Sequence, residues 1–175
     1  LSWEKVTLQR GWNSPGGRRV YSCHISPCSS MILTASGNDL HLWNAASGLL
    51  KAATFKGTST VWGCRFFPDG KTIVAASEDR TLKVWDVESG ILVRTLAGHT
   101  GSVNCVDVSS DNAHILSGSD DGTWKLWNAR TGELLHTEHV VGYKSCCSFS
   151  PNGRLILVGL GFNLMLHDSS TFQLQ

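Results

Sequence analysis

The chain has 175 residues, with 15 Lys and Arg against 14 Asp and Glu, so its net charge is +1. That balance gives nucleic acid or an anionic membrane no general attraction, and no apolar run approaches the roughly 18 residues of a membrane-spanning helix. The length predicts one domain with a sizeable core; no charged-then-apolar leader follows Leu1, and a start at Leu1 reads as part of something longer.

In chain order, Val6-Thr7-Leu8-Gln9-Arg10-Gly11 reads as an outer strand, because Ala53-Thr54-Phe55-Lys56-Gly57 and Arg94-Thr95-Leu96-Ala97-Gly98 have the same pattern. Pro15-Gly16-Gly17 and Arg18-Arg19 read as a solvated loop. Then a repeat begins. Leu40-His41-Leu42-Trp43-Asn44, Leu82-Lys83-Val84-Trp85-Asp86 and Trp124-Lys125-Leu126-Trp127-Asn128 align, and Leu164-Met165-Leu166-His167-Asp168 is a degenerate fourth copy. The intervals are 42, 42 and 40 residues. Five residues after each Trp comes Gly48, Gly90 and Gly132; the fourth copy has Phe172 there. A second landmark keeps the same period: Ser26-Pro27, Phe67-Pro68-Asp69-Gly70, Ser109-Ser110-Asp111-Asn112 and Ser150-Pro151-Asn152-Gly153.

Each unit reads as four short strands between turns. In the third, Val103 to Val108 is strand-like, Ile115-Leu116-Ser117 follows, and Asp120-Asp121-Gly122 turns the chain. Trp124-Lys125-Leu126-Trp127 alternates at period two, and Arg130-Thr131-Gly132 leads to Leu134-Leu135-His136. No segment has a capped helical period. The chain is therefore expected to be all-β. The repeats run approximately over 11–55, 56–96, 97–137 and 138–175, with 1–10 as the outer strand of a preceding or closing unit. Thr171 to Gln175 reaches only the start of the fourth unit's outer strand. One such unit cannot bury both faces, so the units must stack.

Ala97-Gly98-His99, then Ser117-Gly118-Ser119-Asp120-Asp121-Gly122-Thr123, then Leu126-Trp127-Asn128 resemble the WD-repeat β-propeller signature. The resemblance implies about four four-stranded blades, part of a larger, seven-bladed ring. It also implies a non-catalytic scaffold that binds a partner protein or peptide on the propeller face. An incomplete ring would leave open blade faces that self-associate.

His99, Ser117 and Asp121 form a nominal nucleophile set. The resemblance instead assigns His99, Ser117, Asp121 and Trp127 to a buried structural hydrogen-bond network. The second repeat holds it poorly, with Thr58 and Ala75 in place of His and Ser beside Asp79 and Trp85. The fourth has His167 for the Trp. The first and fourth blades are accordingly expected to be the less stable. Five of the six Cys fall in first strands, where the family favours small buried residues; only Cys28 sits in a turn. Equivalent positions on adjacent blades are expected to lie too far apart for disulfides. Free buried thiols point to the cytoplasm or nucleus. His136, His139, Cys146 and Cys147 lack the spacing of a zinc site, and neither metal nor cofactor is expected.

The resemblance implies partner contacts on the narrow face around the central channel, at matching positions just inside each first strand and just before the turn Asp. The first set is Tyr21, Trp62, Asn104 and Ser145; the second is Glu78 and Asp120. Tyr and Trp supply large contact area, and the carboxylates can receive an Arg or Lys from a partner. Trp124 takes the inward position that Leu82 fills one repeat earlier, so it belongs to the core. Trp127-Asn128-Ala129-Arg130 is similar to the adaptor-binding box of substrate receptors in cullin-RING ubiquitin ligases, with Asn128 in place of the acidic residue. A regulatory propeller within a larger enzyme or nucleotide-binding protein is a further alternative.

Overall fold

A computed structural model describes residues 14–140, 145–160 and 162–175. Among the described residues it contains fifteen strands and one short 3-10 turn at Pro15–Gly17. The first blade holds β1 (Val20–Ile25), β2 (Met31–Ser36), β3 (Asp39–Asn44) and β4 (Leu50–Lys56). The second holds β5 (Val61–Phe66), β6 (Thr72–Ser77), β7 (Thr81–Asp86) and β8 (Leu92–Ala97). The third holds β9 (Val103–Val108), β10 (His114–Ser119), β11 (Thr123–Asn128) and β12 (Leu134–His139). The fourth holds β13 (Ser145–Phe149), β14 (Leu155–Leu160) and β15 (Asn163–Asp168). Every sheet is an antiparallel meander with strands in sequence order. Among the described residues the fourth blade thus has three strands, and a single bridge, His167 to Leu174, lies at its outer edge. The Val6–Gly11 segment lies outside the described residues.

The turn after each third strand shows why the landmark residues recur. The side-chain oxygens of Asn44, Asp86, Asn128 and Asp168 accept backbone N–H groups two or three residues on. Each turn then needs a left-handed residue, supplied by Gly48, Gly90 and Gly132 at φ 71°, 70° and 80°. Phe172 adopts the same conformation at φ 60°, at a cost that glycine avoids. Its ring stacks on His136 with centroids 4.2 Å apart, which offsets that strain.

The blades stack face to face. Leu33, Ala35, Leu40, Leu42 and Phe55 of the first cluster with Cys64, Phe66, Ile73, Ala75 and Trp85 of the second. Val74, Ala76, Leu82, Val84 and Leu96 meet Val106, Val108, Ile115 and Trp127. Leu116, Trp124 and Leu126 meet Cys147, Ile156 and Val158. Trp124 is fully buried; truncating such a core Trp costs about 3–5 kcal/mol. The middle blades are covered on both faces, so even the polar positions of β7 and β11 are buried. Lys83 lays its stem inward and bonds Asp79 and Thr81, and Lys125 Nζ donates to Thr137 at 2.9 Å.

The innermost strands β1, β5, β9 and β13 lie side by side without pairing as a ladder. Side chains satisfy part of these edges instead. The Cys64 N–H donates to Ser22 Oγ at 3.3 Å and the Phe66 N–H to His24 Nδ1 at 3.0 Å. The Phe149 N–H donates to Asp107 Oδ2 at 2.7 Å, and Arg65 Nε donates to Asp107 Oδ1 at 3.4 Å. No packing of comparable extent joins β13 back to β1 among the described residues. The outward face of the fourth blade exposes Leu157, Leu164 and Leu166.

One expectation about the cysteines needs correction. Cys64 and Cys147 are buried, but Cys23 and Cys146 are exposed. Cys23 faces away from the second blade and Cys146 away from the third, so no neighbouring sheet covers them. The expected separation concerned equivalent positions; the non-equivalent pair Cys105 and Cys147, on adjacent blades, brings its sulfurs to 2.9 Å. They are not equivalent positions of the repeat; the same 42-residue offset brings Ser22 against Cys64 and His24 against Phe66 between the first two blades.

Candidate functional site

Each first strand of the first three blades carries a one-residue bulge at the same place. Val20 pairs with Ser36 and Ser22 with Ala35, so Tyr21 is the extra residue. Val61 pairs with Ser77 and Gly63 with Ala76, leaving Trp62 over. Val103 pairs with Ser119 and Cys105 with Gly118, leaving Asn104 over. A bulge re-aims its unpaired side chain. Here it delivers Tyr21, Trp62 and Asn104 to one end of the stack.

The facing turns are stitched to the strand entries. The Glu78 N–H donates to the Thr60 carbonyl at 2.8 Å, and the Asp120 N–H to the Ser102 carbonyl at 2.9 Å. Gly101 permits the second approach, because a Cβ there would meet Asp121 N at 2.7 Å. The result is a cavity of about 380 Å³ lined by Tyr21, Trp62, Glu78, Ser102, Asn104 and Asp120. Five of the six residues read from sequence as partner contacts therefore share one pocket. Ser145 opens β13, but its side chain lies outside the described residues and outside that lining.

The pocket combines aromatic and acidic chemistry. Tyr21 and Trp62 meet edge to face at 4.7 Å, and Tyr21 is 38% exposed. The Trp62 indole N–H has no hydrogen-bond partner among the described residues. Asn104 Nδ2 donates to Asp120 Oδ1 at 2.5 Å, and Ser59 Oγ donates to Glu78 Oε2 at 2.9 Å. Bonds from Thr60 and then Ser59 hold the Glu78 carboxyl below its ordinary pKa, so it is ionised at neutral pH. A wider cleft of about 570 Å³ lies between the first two blades beside Met31, Leu42, Lys71 and Glu88. Its lining has no aromatic side chain.

The nominal nucleophile set occupies a different place. Trp127 Nε1 donates to Ser117 Oγ at 2.9 Å, and Ser117 Oγ lies 2.8 Å from His99 Nε2. His99 Nδ1 lies 2.8 Å from Asp121 Oδ2. With the indole donating to Ser117, the hydroxyl proton goes to Nε2 and the Nδ1 proton to Asp121. Burial is the largest influence on His99 and holds its pKa below the ordinary value, so the ring is neutral. Burial alone would raise Asp121, but bonds from Thr123, Thr100 N–H and His99 outweigh it and hold the carboxyl well below the usual range. The distances suit proton transfer. Access does not, because Ser117 is 0% exposed beneath Trp127.

In the second blade Thr58, Thr81 and buried Lys83 converge on Asp79 instead. In the first, Trp43 Nε1 donates to Thr34 Oγ1 at 2.8 Å. Thr34 holds the position of Ser117, a substitute that sequence reading missed although β2 and β3 pair it opposite His41 as Ser117 is opposite Lys125. In the fourth, His167 Nδ1 bonds the Phe172 carbonyl at 3.1 Å. His136 stacks on Phe172, while His139 ends β12 on the surface. Asn128 Oδ1 is occupied by the N–H groups of Arg130 and Thr131, and Arg130 is exposed.

Stacked four-stranded blades that present bulged side chains at one end define a repeat-built binding scaffold. The chain belongs to the WD domain, G-beta repeat family, which it matches over residues 6–44, 51–86, 90–128 and 132–168. Each match ends with a blade's third strand. From the second match on, it begins near the outer strand of the blade before, so successive blades share a sequence repeat. A comparison with curated proteins found no match. Repeats of this family generally mediate protein–protein interaction, and domains built from them are typically non-catalytic scaffolds.

Proposed function

We propose that this protein captures a partner protein or peptide by seating one of its basic side chains between Trp62, Tyr21, Glu78 and Asp120. The observation that carries this reading is the convergence of three successive bulges on one acidic, aromatic cavity. An Arg guanidinium fits such chemistry. Its plane lies on an indole or phenol face, and its N–H groups reach carboxylates. Exposed thiols at Cys23, Cys28 and Cys146 support a reducing location, in the cytoplasm or nucleus.

The test is a random peptide library with a fixed central Arg, compared with the same library carrying Gln there. Selective retention of the Arg library is expected. Trp62→Ala and the double variant Glu78→Gln, Asp120→Asn should each abolish that selectivity at an unchanged melting midpoint. Equal retention of the two libraries, or undiminished selectivity in Trp62→Ala, would sink the proposal.

A further inference from the structure

The Cys105–Cys147 pair has no part in that pocket or in the His99 network. We infer that these two thiols form an oxidation site, in which a hydroperoxide converts the contact between the third and fourth blades into a disulfide. The argument begins with the step between innermost strands. Side-chain bonds across that step join residues 42 apart: Ser22 to Cys64, His24 to Phe66, Asp107 to Phe149. Cys105 and Cys147 occupy the same step one level away, with their sulfurs 2.9 Å apart. The backbones are close enough for a bridge there. One blade earlier, at the matching level, a Cβ built on Gly63 would lie 3.5 Å from Cys105 Cα. A disulfide needs the sulfurs to close to about 2.05 Å and the Cβ atoms to sit about 3.8 Å apart. Closing the remaining gap takes less than about 1 Å of side-chain rotation.

The two thiols are not alike, and the difference orders the chemistry. Cys147 is buried, its S–H is 3.8 Å from the Leu116 carbonyl, and burial pushes its pKa well up. Cys105 is only half buried. The oxidant therefore meets Cys105 first. Its thiolate attacks a peroxide oxygen; the O–O bond breaks, an alcohol or water leaves, and Cys105 becomes a sulfenic acid. Cys147 then attacks that sulfur and loses its proton, and the sulfenic oxygen leaves as water. The net change is two thiols oxidised by two electrons, one hydroperoxide reduced, one disulfide formed. Cys64 has no such neighbour: the same 42-residue step places Ser22 on one side of it and Val106 on the other.

The bond would close a loop that includes all of β10, β11 and β12, tying the three-stranded fourth blade to a four-stranded one. Chain-entropy reasoning for a loop of this length gives a rise in melting midpoint of about 8–16 °C.

The experiment uses the whole chain in a Cys28→Ser, Cys146→Ser background, which removes the exposed turn thiol and the neighbour of Cys147. The protein is treated with hydrogen peroxide, alkylated and digested without reductant. The expected product links the Thr95–Lys125 and Ser145–Arg154 peptides, and the melting midpoint rises by several degrees until a reductant reverses it. Adding Cys105→Ser should abolish both the linked peptide and the rise. Full alkylation of Cys105 and Cys147 after peroxide, or linkage of Cys105 to Cys23 or Cys64 instead, overturns the inference. So does a linked peptide that persists at equal yield in urea-unfolded protein, because proximity would then owe nothing to the fold.

Discussion

Replacing His99 by Ala tests the reading that the buried triad is structural. The side chain is 1% exposed and contacts three groups: Asp121 at 2.8 Å, Ser117 at 2.8 Å and Thr123 at 3.2 Å. Its removal does not orphan all three. Asp121 keeps Thr100 N–H at 2.9 Å and the N–H and hydroxyl of Thr123. Ser117 keeps the Trp127 donor, but its own proton has only the Lys125 carbonyl at 3.5 Å. One buried donor is therefore stranded, at about 1–3 kcal/mol, and the void left by the ring adds about 1 kcal/mol. In a domain of this size each kcal/mol moves the melting midpoint by about 2–4 °C, so a fall of about 10 °C is expected. Calorimetry or circular dichroism reads it directly. Thr58→Ala is the matched control, since Thr58 holds the same loop position in the second blade but is exposed; it should shift stability by less than about 0.5 kcal/mol. A His99→Ala midpoint within about 2 °C of the parent would refute the reasoning, as would a Thr58→Ala loss of equal size.

Other measurements follow from the same geometry. Burial, as the largest influence, lowers the pKa of His24, His41 and His99 below the ordinary 6.5. The unfolded chain then binds more protons as pH drops through that value, so denaturant stability should fall between about pH 7.5 and 5.5. The dependence should be shallower in His99→Ala; a flat wild-type profile over that window would contradict it. Asp79 and Asp121, held low, should contribute their own loss only in stronger acid. Cys28 is exposed beside Ser26 and Ser30, whose bonds bring its thiol down to about 7, so timed iodoacetamide labelling at neutral pH should modify it before any other cysteine. Gly101→Ala pushes a methyl into the backbone at Asp121 and should cost about 1–3 kcal/mol in chemical denaturation. The same substitution should weaken retention of the Arg library, because Asp120 rides on that turn.

How much of this was legible depended on where each residue's constraint originates. The turn residues are constrained by their own backbone. Gly48, Gly90 and Gly132 need positive φ, and Asn44, Asp86, Asn128 and Asp168 cap the turn with their own oxygens, so the period stood out in the bare sequence. The alternation of Leu40, Leu42 and their counterparts gave the strands for the same reason. The bulges did not show, because a register shift belongs to two strands at once and Val-Tyr, Val-Trp and Val-Asn share no side-chain chemistry. The burial of Lys83 and Lys125 was likewise hidden: an alternating Lys reads as a solvent-facing residue until a second sheet covers it. The thiol contact was missed because blades meet at a step of 42 residues, whereas the local frame between the third and fourth repeats is 41.

The bulge at Tyr21, Trp62 and Asn104 separates two kinds of selection. Every other residue of those strands sits in a pair or against a neighbouring sheet, so a change there disturbs register or packing. The extra residue has no partner across the strand. Its identity can vary from Tyr to Trp to Asn while the flanking valines and the ladder stay the same. Each of the first three blades thus carries one interchangeable letter on an invariant frame. The side chains presented at that end of the stack can be rewritten one blade at a time without the fold having to adapt.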